Sequence, residues 1–155
     1  MTGRIEVRLQ ELGVTLPAPP APVASYVPYT VSGNQVFISG QVPVTTQGVQ
    51  FIGLVGDGIS IEQGKQAARL CAINLVAQLK AACGGDLDRV KRCLKLTVFV
   101  AGVAGFGGHP EVANGASDFI VEVFGEAGKH ARAAVGAATL PRGTVCEVEG
   151  LFEIA

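Results

Sequence analysis

The segment 145–154 is the part of the sequence whose residue types and spacing point most directly to chemistry. Apolar and acidic residues alternate there, and successive side chains of a strand point to opposite faces of a sheet. One face carries the side chains of Cys146, Val148, Phe152 and Ile154. The other carries Leu151 and the carboxylates of Glu147, Glu149 and Glu153. These carboxylates are candidates for a functional site on the second face.

Residues that could bind a metal or a nucleotide are less favourably placed. The cysteines at positions 71, 83, 93 and 146 form no C-x-x-C pair, and His109 and His130 form no cluster with them. This spacing favours reduced thiols over a structural zinc site. The glycine-rich segment 102–108 has neither a G-x-G-x-x-G pattern nor the Lys-Ser/Thr pair of a P-loop. We expect the histidines in loop or helix-cap roles, and a simple turn at Gly56-Asp57-Gly58.

Periodicity of apolar residues predicts the elements that must position these groups. Helices are predicted at 4–12, at 60–82, which begins with a Ser-x-x-Gln capping box, and at 110–124, which begins with a proline. Strands are predicted at 29–31, 35–39, 90–101, 132–138 and 145–154. The first two strands flank Ser32-Gly33-Asn34 and predict a hairpin. The proline-rich run 16–22 predicts an extended strap.

The order ββ-α-β-α-ββ predicts an α/β (α+β) fold, a mixed sheet with two long helices packed on one face. In this arrangement the two helices leave the other face of the sheet uncovered. Charged residues make up only 16% of the chain, against about 25% in ordinary soluble domains. We therefore predict that another copy of the chain covers the second face, which places the acidic residues of 145–154 at a site between subunits.

Length and charge narrow the class of protein further. The 155 residues are expected to form one domain, 1–155. Twelve Lys and Arg against thirteen Asp and Glu give a net charge of −1, too little positive field to make nucleic acid a natural partner. Charges at Arg4, Glu6 and Arg8 interrupt any apolar export signal, and the most apolar stretch, 94–106, is shorter than the ~18 residues of a membrane span. We expect a soluble cytoplasmic protein.

Several stretches together resemble one known family. Arg132-Ala133-Ala134-Val135-Gly136 is followed by Leu140-Pro141 and then by Val145-Cys146-Glu147-Val148-Glu149. The segments V-F-I-S-G-Q-V-P at 36–43 and L-T-V-F-V at 96–100 fit the same pattern, as does Asn114 near the start of a helix. From about Tyr26 to Ala155 the sequence resembles the Rid family, also called YjgF, of enamine/imine deaminases. The helix and strap of 1–22 extend beyond the compact family core and indicate a longer subgroup.

The resemblance implies a chorismate-mutase-like fold, a homotrimer with clefts between subunits, and hydrolysis of small enamines or imines to 2-keto acids and ammonia. Substrates such as 2-iminopropanoate would need no cofactor and no metal. By the same resemblance, Arg132 holds the substrate carboxylate and Glu147 positions or activates water. Ser39 and the Gly40 backbone hold the water or the reacting nitrogen, while Tyr26 and Asn114 line the cleft. A guanidinium suits its role because it grips a planar carboxylate through two parallel hydrogen bonds.

The sequence also departs from the family pattern. Many deaminases of the family have a cysteine two residues beyond the arginine, where this chain has Ala134. Cys146 is not expected to replace it, because Cys146 adjoins Glu147 and points to the opposite sheet face. A non-catalytic trimer that binds small carboxylates or keto acids therefore stays an alternative. An endoribonuclease, suggested only by older family names, is a more remote one. The sequence leaves the physiological substrate open.

The spacing of Arg132 and Glu147 raises a question about the site. If the last two strands paired as a tight hairpin around 140–143, Arg132 would face roughly Leu151, which is four residues, or ~13 Å, from Glu147. Either these strands pair differently or the site combines residues of two subunits. We favour the site shared between subunits.

Overall fold

The structure is a computed structural model and describes residues 2–19 and 24–155. In chain order, the helices in these ranges are α1 (Arg4–Glu11), α2 (Ile61–Ala82) and α3 (His109–Phe124). The strands are β1 (Tyr29–Ser32), β2 (Gln35–Gln41), β3 (Val44–Thr45), β4 (Gly48–Val49), β5 (Leu54–Val55), β6 (Gly58–Ile59), β7 (Val90–Ala101), β8 (Ala131–Ala137) and β9 (Cys146–Ile154). Short 3-10 turns lie at Leu87–Arg89, Gly125–Gly128 and Pro141–Gly143.

The two long helices begin at residues that the sequence marks for this purpose. Ser60 Oγ accepts a hydrogen bond from Gln63 N at 3.1 Å, and Gln63 Oε1 accepts one from Ser60 N at 2.9 Å. This reciprocal capping box satisfies free backbone donors of α2. In α3, Pro110 occupies the first turn, where its missing N–H costs no helical hydrogen bond. The predicted helices are confirmed.

The main sheet has the strand order β1-β2-β9-β7-β8. β8 runs parallel to β7, and the other neighbouring pairs are antiparallel, so the sheet is mixed as predicted. α3 is the crossover that connects the parallel pair β7 and β8. Because β7 lies between β8 and β9, the last two strands do not form a hairpin. Of the two possibilities raised by the sequence, a different strand pairing therefore holds; the site shared between subunits stays a prediction.

The two faces of the sheet differ as the sequence predicts. α2 and α3 cover one face, where Leu96, Val98, Val100, Val148 and Phe152 are fully buried. On the open face the side chains of Phe37 and Val135 are 44% and 41% exposed. Lys95, Glu147 and Glu149 share this face with them. The open face is therefore partly apolar and partly charged.

The N-terminal helix packs on the same core as the rest of the chain. Ile5 and Leu9 of α1 are buried there. The Asp88 carboxylate accepts hydrogen bonds from the backbone N–H groups of Ile5 at 2.9 Å and Arg4 at 2.8 Å, and these bonds hold its pKa below the usual value. The extended strap predicted at 16–22 is free of helix and strand over 16–19, and the rest of it, 20–22, lies outside the described residues. Within 2–19 and 24–155, no helix combines the length and the hydrophobicity of a membrane span.

Candidate active site

Arg132 lies in β8, the edge strand of the main sheet, and its side chain reaches α3. Its β7 neighbour is the buried Leu96, so Arg132 extends from the helix-covered face. Arg132 Nη1 donates to Asn114 Oδ1 at 2.8 Å and to Ser117 Oγ at 3.2 Å, and Nη2 donates to Pro110 O at 3.4 Å. The structure thus brings two predicted residues, Arg132 and Asn114, into direct contact.

The acceptors around Arg132 are an amide, a hydroxyl and a carbonyl oxygen, and none of them is charged. The ion pairs among residues 2–19 and 24–155 do not include Arg132. In this part of the chain the guanidinium is therefore oriented by hydrogen bonds while its charge is not neutralised by a carboxylate. Such a group can bind an anion, and its planar fork matches a carboxylate.

Glu147 lies on the open face of the sheet and is half-buried. Its β7 neighbour is Phe99. Desolvation by burial raises the pKa of Glu147 above its usual value, and the nearby charge of Glu149 raises it further. A carboxylate with a raised pKa is a better proton acceptor than an exposed one when it is ionised.

The Glu147 side chain lies directly against Gly40. The pairing of β2 with β9 shifts register between Ile38 and Gln41, so that Ser39 and Gly40 form a bulge. A Cβ at Gly40 would overlap Glu147 Oε1 and would lie 2.9 Å from Glu147 Cδ. Glycine at this position therefore leaves the space that the carboxylate occupies.

Ser39 adjoins Gly40 in the bulge and is hydrogen-bonded to the segment that follows Tyr26. Ser39 Oγ donates to Val27 O at 2.8 Å, and Ser39 N donates to Pro28 O at 2.9 Å. The hydroxyl hydrogen is thus used within the chain, and the oxygen can still accept a hydrogen bond. Tyr26, next to Val27, is 62% exposed.

One chain does not bring Arg132 and Glu147 together. Their β7 neighbours, Leu96 and Phe99, are three residues apart, and β7 separates β8 from β9. Ideal strand spacings place the two backbones about 14 Å apart. The side chains also leave opposite faces of the sheet. We call the group Arg132, Asn114 and Ser117 the arginine half-site, and the group Glu147, Gly40 and Ser39 the glutamate half-site.

Two residues near Arg132 were not predicted to belong to a site. Ser117 follows Asn114 by three residues on α3, a spacing that puts both on one helix face, and this was the signal that could have found it. His130, expected in a loop or cap role, contacts Ser117 through Nε2 at 2.9 Å. The sequence alone did not indicate this contact.

The cysteines are free and buried, at positions 71, 83, 93 and 146. Burial raises the pKa of Cys93 to about 12, and burial also raises the pKa of Cys71. A thiol with a raised pKa is a poor nucleophile at neutral pH. Cys146 points away from the Glu147 face, as predicted. Within the described ranges, no three His, Cys, Asp or Glu residues are grouped so as to hold a metal.

We predict that Gly40→Ala leaves the fold intact and lowers the activity of the site about tenfold or more, because the new methyl group must displace the Glu147 carboxylate. Turnover and the melting temperature would both be measured. Gly107→Ala is the matched control, since a Cβ there meets no atom within 4 Å. Equal turnover in the two variants would contradict a functional role for the Gly40–Glu147 contact.

Comparison with known proteins shows which family shares this sequence and fold. Residues 6–154 match the model of a family described as "YjgF/chorismate_mutase-like, putative endoribonuclease". The chain is 49% identical over 154 residues to Protein TCP17 of Trypanosoma cruzi, covering 99% of this chain and 96% of that protein. It is 48% identical to protein Atu1372 of Agrobacterium tumefaciens, whose crystal structure superposes with a TM-score of 0.91 over 97% of this chain and 92% of that one. RidA of the Antarctic bacterium Psychrobacter sp. PAMC 21119 is 28% identical, with a TM-score of 0.60 over 88% of this chain and 94% of that one.

Proposed function

Since the chain belongs to the YjgF (Rid) family, we propose that it hydrolyses small enamines and imines to 2-keto acids and ammonia. The observation that carries this proposal is the arginine half-site, in which neutral groups orient the Arg132 guanidinium and leave its charge available. A 2-imino acid such as 2-iminopropanoate presents a planar carboxylate to this group. The similarity to a protein named RidA supports the same reaction class.

The complete site, in this proposal, lies between subunits of a homotrimer. One chain holds the arginine and glutamate half-sites on opposite faces and about 14 Å apart, so a three-carbon substrate cannot touch both within one chain. The β8 edge that carries Arg132 and the open face that carries Glu147 are both accessible to a neighbouring copy. Joining the edge of one subunit to the open face of the next brings the two half-sites together.

Each side chain then has a defined role in the hydrolysis. Arg132 holds the substrate carboxylate and fixes the imine carbon, with Asn114 holding the guanidinium and Tyr26 at the mouth of the cleft. The substrate reacts as the protonated imine: Glu147 accepts a proton from water as the water oxygen bonds to the imine carbon, the C=N π pair moves to the nitrogen, and a neutral carbinolamine forms. Glu147 returns that proton to the nitrogen. The C–N bond then breaks as the hydroxyl oxygen forms the C=O bond and gives its proton to Glu147, which passes it to the departing ammonia, so that the 2-keto acid and an ammonium ion leave and Glu147 is again ionised. Ser39 Oγ can accept a hydrogen bond from the water or the nitrogen. This hydrolysis has no redox step and its chemistry requires no cofactor.

A specific observation favours a second candidate, a trimer that binds 2-keto acids without turnover. The Ser39 hydroxyl hydrogen is used by Val27 O, and Ala134 stands where many deaminases of the family have a cysteine. A binder needs only the arginine half-site.

The endoribonuclease in the family description is less well supported here, because a net charge of −1 offers little attraction to a phosphate backbone. Free buried thiols favour a reducing compartment such as the cytoplasm.

The test is a coupled assay of ammonia release from 2-iminopropanoate generated in situ. Catalytic amounts of the protein should accelerate release above the spontaneous rate, and Arg132→Ala should abolish the acceleration. Saturable binding of pyruvate without any acceleration would support the binder instead. If the protein neither binds pyruvate nor accelerates ammonia release, both candidates are overturned.

The pH profile gives a further prediction, because only ionised Glu147 can accept a proton from water. Activity should fall as pH drops through the raised pKa of Glu147. Glu149→Gln removes one cause of that rise, so the acidic limb of the kcat/KM profile should move to lower pH. Glu153→Gln is the control, since that carboxylate lies on the same strand and face and accepts a hydrogen bond from Asn34. An unchanged limb in Glu149→Gln would contradict the role of Glu147 as the proton acceptor.

A further inference from the structure

His130 has a defined proton arrangement that connects it to Ser117. The ring lies between the 3-10 turn Gly125–Gly128 and β8, with Nδ1 2.6 Å from Gly128 O and Nε2 2.9 Å from Ser117 Oγ. A carbonyl oxygen can only accept, so Nδ1 carries the hydrogen. In the neutral ring Nε2 is then an acceptor, and the Ser117 hydroxyl donates to it.

This arrangement fixes which way the Ser117 hydroxyl points. A serine inside a helix often donates to the carbonyl oxygen four residues earlier, which would be that of Ala113. With the neutral ring the hydrogen is directed to His130, and a lone pair of Oγ accepts from Arg132 Nη1 at 3.2 Å. Hydrogen bonds through Ser117 therefore connect His130 to Arg132.

The contacts on Arg132 also determine which of its donors stay available. Nη1 has two hydrogens, and they are used by Asn114 and Ser117, while Nη2 uses one on Pro110 O. Toward the residues that the structure describes, the Nε–H and the second Nη2–H have no acceptor. Nε and Nη2 share one edge of the planar guanidinium, and that edge can grip a carboxylate with two hydrogen bonds.

We propose that Ser117 and His130 are positioning residues that hold the guanidinium of Arg132 with its Nε/Nη2 edge toward the substrate carboxylate. The inference rests on the proposed function for its substrate, but the geometry is a property of this chain alone. It assigns a role to Ser117, which the sequence did not predict as a site residue, and to His130, which lies outside both half-sites.

Variants of His130 separate its two contacts. In His130→Asn the side-chain amide can replace Nδ1 toward Gly128 O but does not reach Ser117. In His130→Gln the longer side chain places an acceptor near the position of Nε2. We expect Ser117→Ala and His130→Asn each to raise the Kd for pyruvate and the KM for 2-iminopropanoate about tenfold, with kcat changed much less. Ser117→Thr and His130→Gln should recover most of this loss, and Asp118→Asn, an exposed neighbour on α3, should change nothing.

The double variant Ser117→Ala with His130→Asn should be no worse than Ser117→Ala alone, because both changes remove the same support. A readout that does not depend on activity is the 15N–1H NMR signal of the Arg132 side chain. Rotation about the Cζ–Nη bonds of Arg132 should be faster in Ser117→Ala and His130→Asn than in the wild type and His130→Gln.

The outcomes distinguish this inference from the proposed function. Unchanged Arg132 signals in Ser117→Ala, at an unchanged melting temperature, would overturn the positioning role even in an active enzyme. Additive losses in the double variant would overturn the connection through Ser117. If the wild type neither binds pyruvate nor releases ammonia, the proposed function fails, and the NMR comparison still decides whether Ser117 and His130 hold Arg132.

Discussion

Glu147→Gln is expected to lower kcat for imine hydrolysis by about 10²-fold or more, the usual contribution of a general acid–base group. The substitution keeps the size of the side chain and removes its ability to take a proton from water. Pyruvate should still bind with near wild-type affinity, because the carboxylate of the ligand is held by Arg132 and not by Glu147. Ammonia release and calorimetric binding measure the two effects separately.

The neighbouring acid supplies the control for this comparison. Glu149 lies on the same face and pairs with Thr97 of β7, two residues along each strand from the pair formed by Glu147 and Phe99. Glu149→Gln should retain most of the turnover at neutral pH. Full activity in Glu147→Gln would assign the carboxylate to the subunit interface and remove it from the mechanism. A loss of binding along with turnover would show that the residue holds the site together instead of acting on water.

Local sequence signals predicted most of the elements. The capping box of Ser60 and Gln63 fixed the start of α2, and the alternation of 90–101 predicted β7. The mixed character of the open face also followed from alternation, since each strand residue has a determined side. These features depend on neighbours within a few residues, which the sequence displays directly.

The order of the strands and the contacts of the site could not be predicted in this way. β9 lies between β2 and β7 because of pairing over long distances along the chain, and the local pattern of 145–154 is compatible with a hairpin to 132–138. The contact between Gly40 and Glu147 depends on that order and on the bulge in β2. The bond between His130 and Ser117 depends on how the turn Gly125–Gly128 directs the chain into β8. The resemblance to a family identified Arg132 and Glu147 as site residues. The structure shows which residues contact them.

The separation of the half-sites leads to a test of assembly. Native mass spectrometry of the wild type, Arg132→Ala and Glu147→Gln should each give three times 15.9 kDa. A stable monomer would contradict the site between subunits, because the two half-sites of one chain lie too far apart to form one site. These measurements also establish that both inactive variants still assemble, which the mixing experiment requires.

Co-assembly of Arg132→Ala chains with Glu147→Gln chains is expected to restore activity that neither variant has alone. If each site takes Arg132 from one subunit and Glu147 from the next, every mixed trimer contains one site in which both residues are intact. Random mixing of equal amounts should then recover about one quarter of the wild-type activity, because about three in four trimers are mixed and one in three of their sites is complete. Chains that carry both substitutions, mixed with Arg132→Ala chains, provide the control and should recover nothing. If both residues of a site came from one chain, every site in every mixed trimer would carry a lesion, and the absence of recovery at any mixing ratio would contradict the shared site.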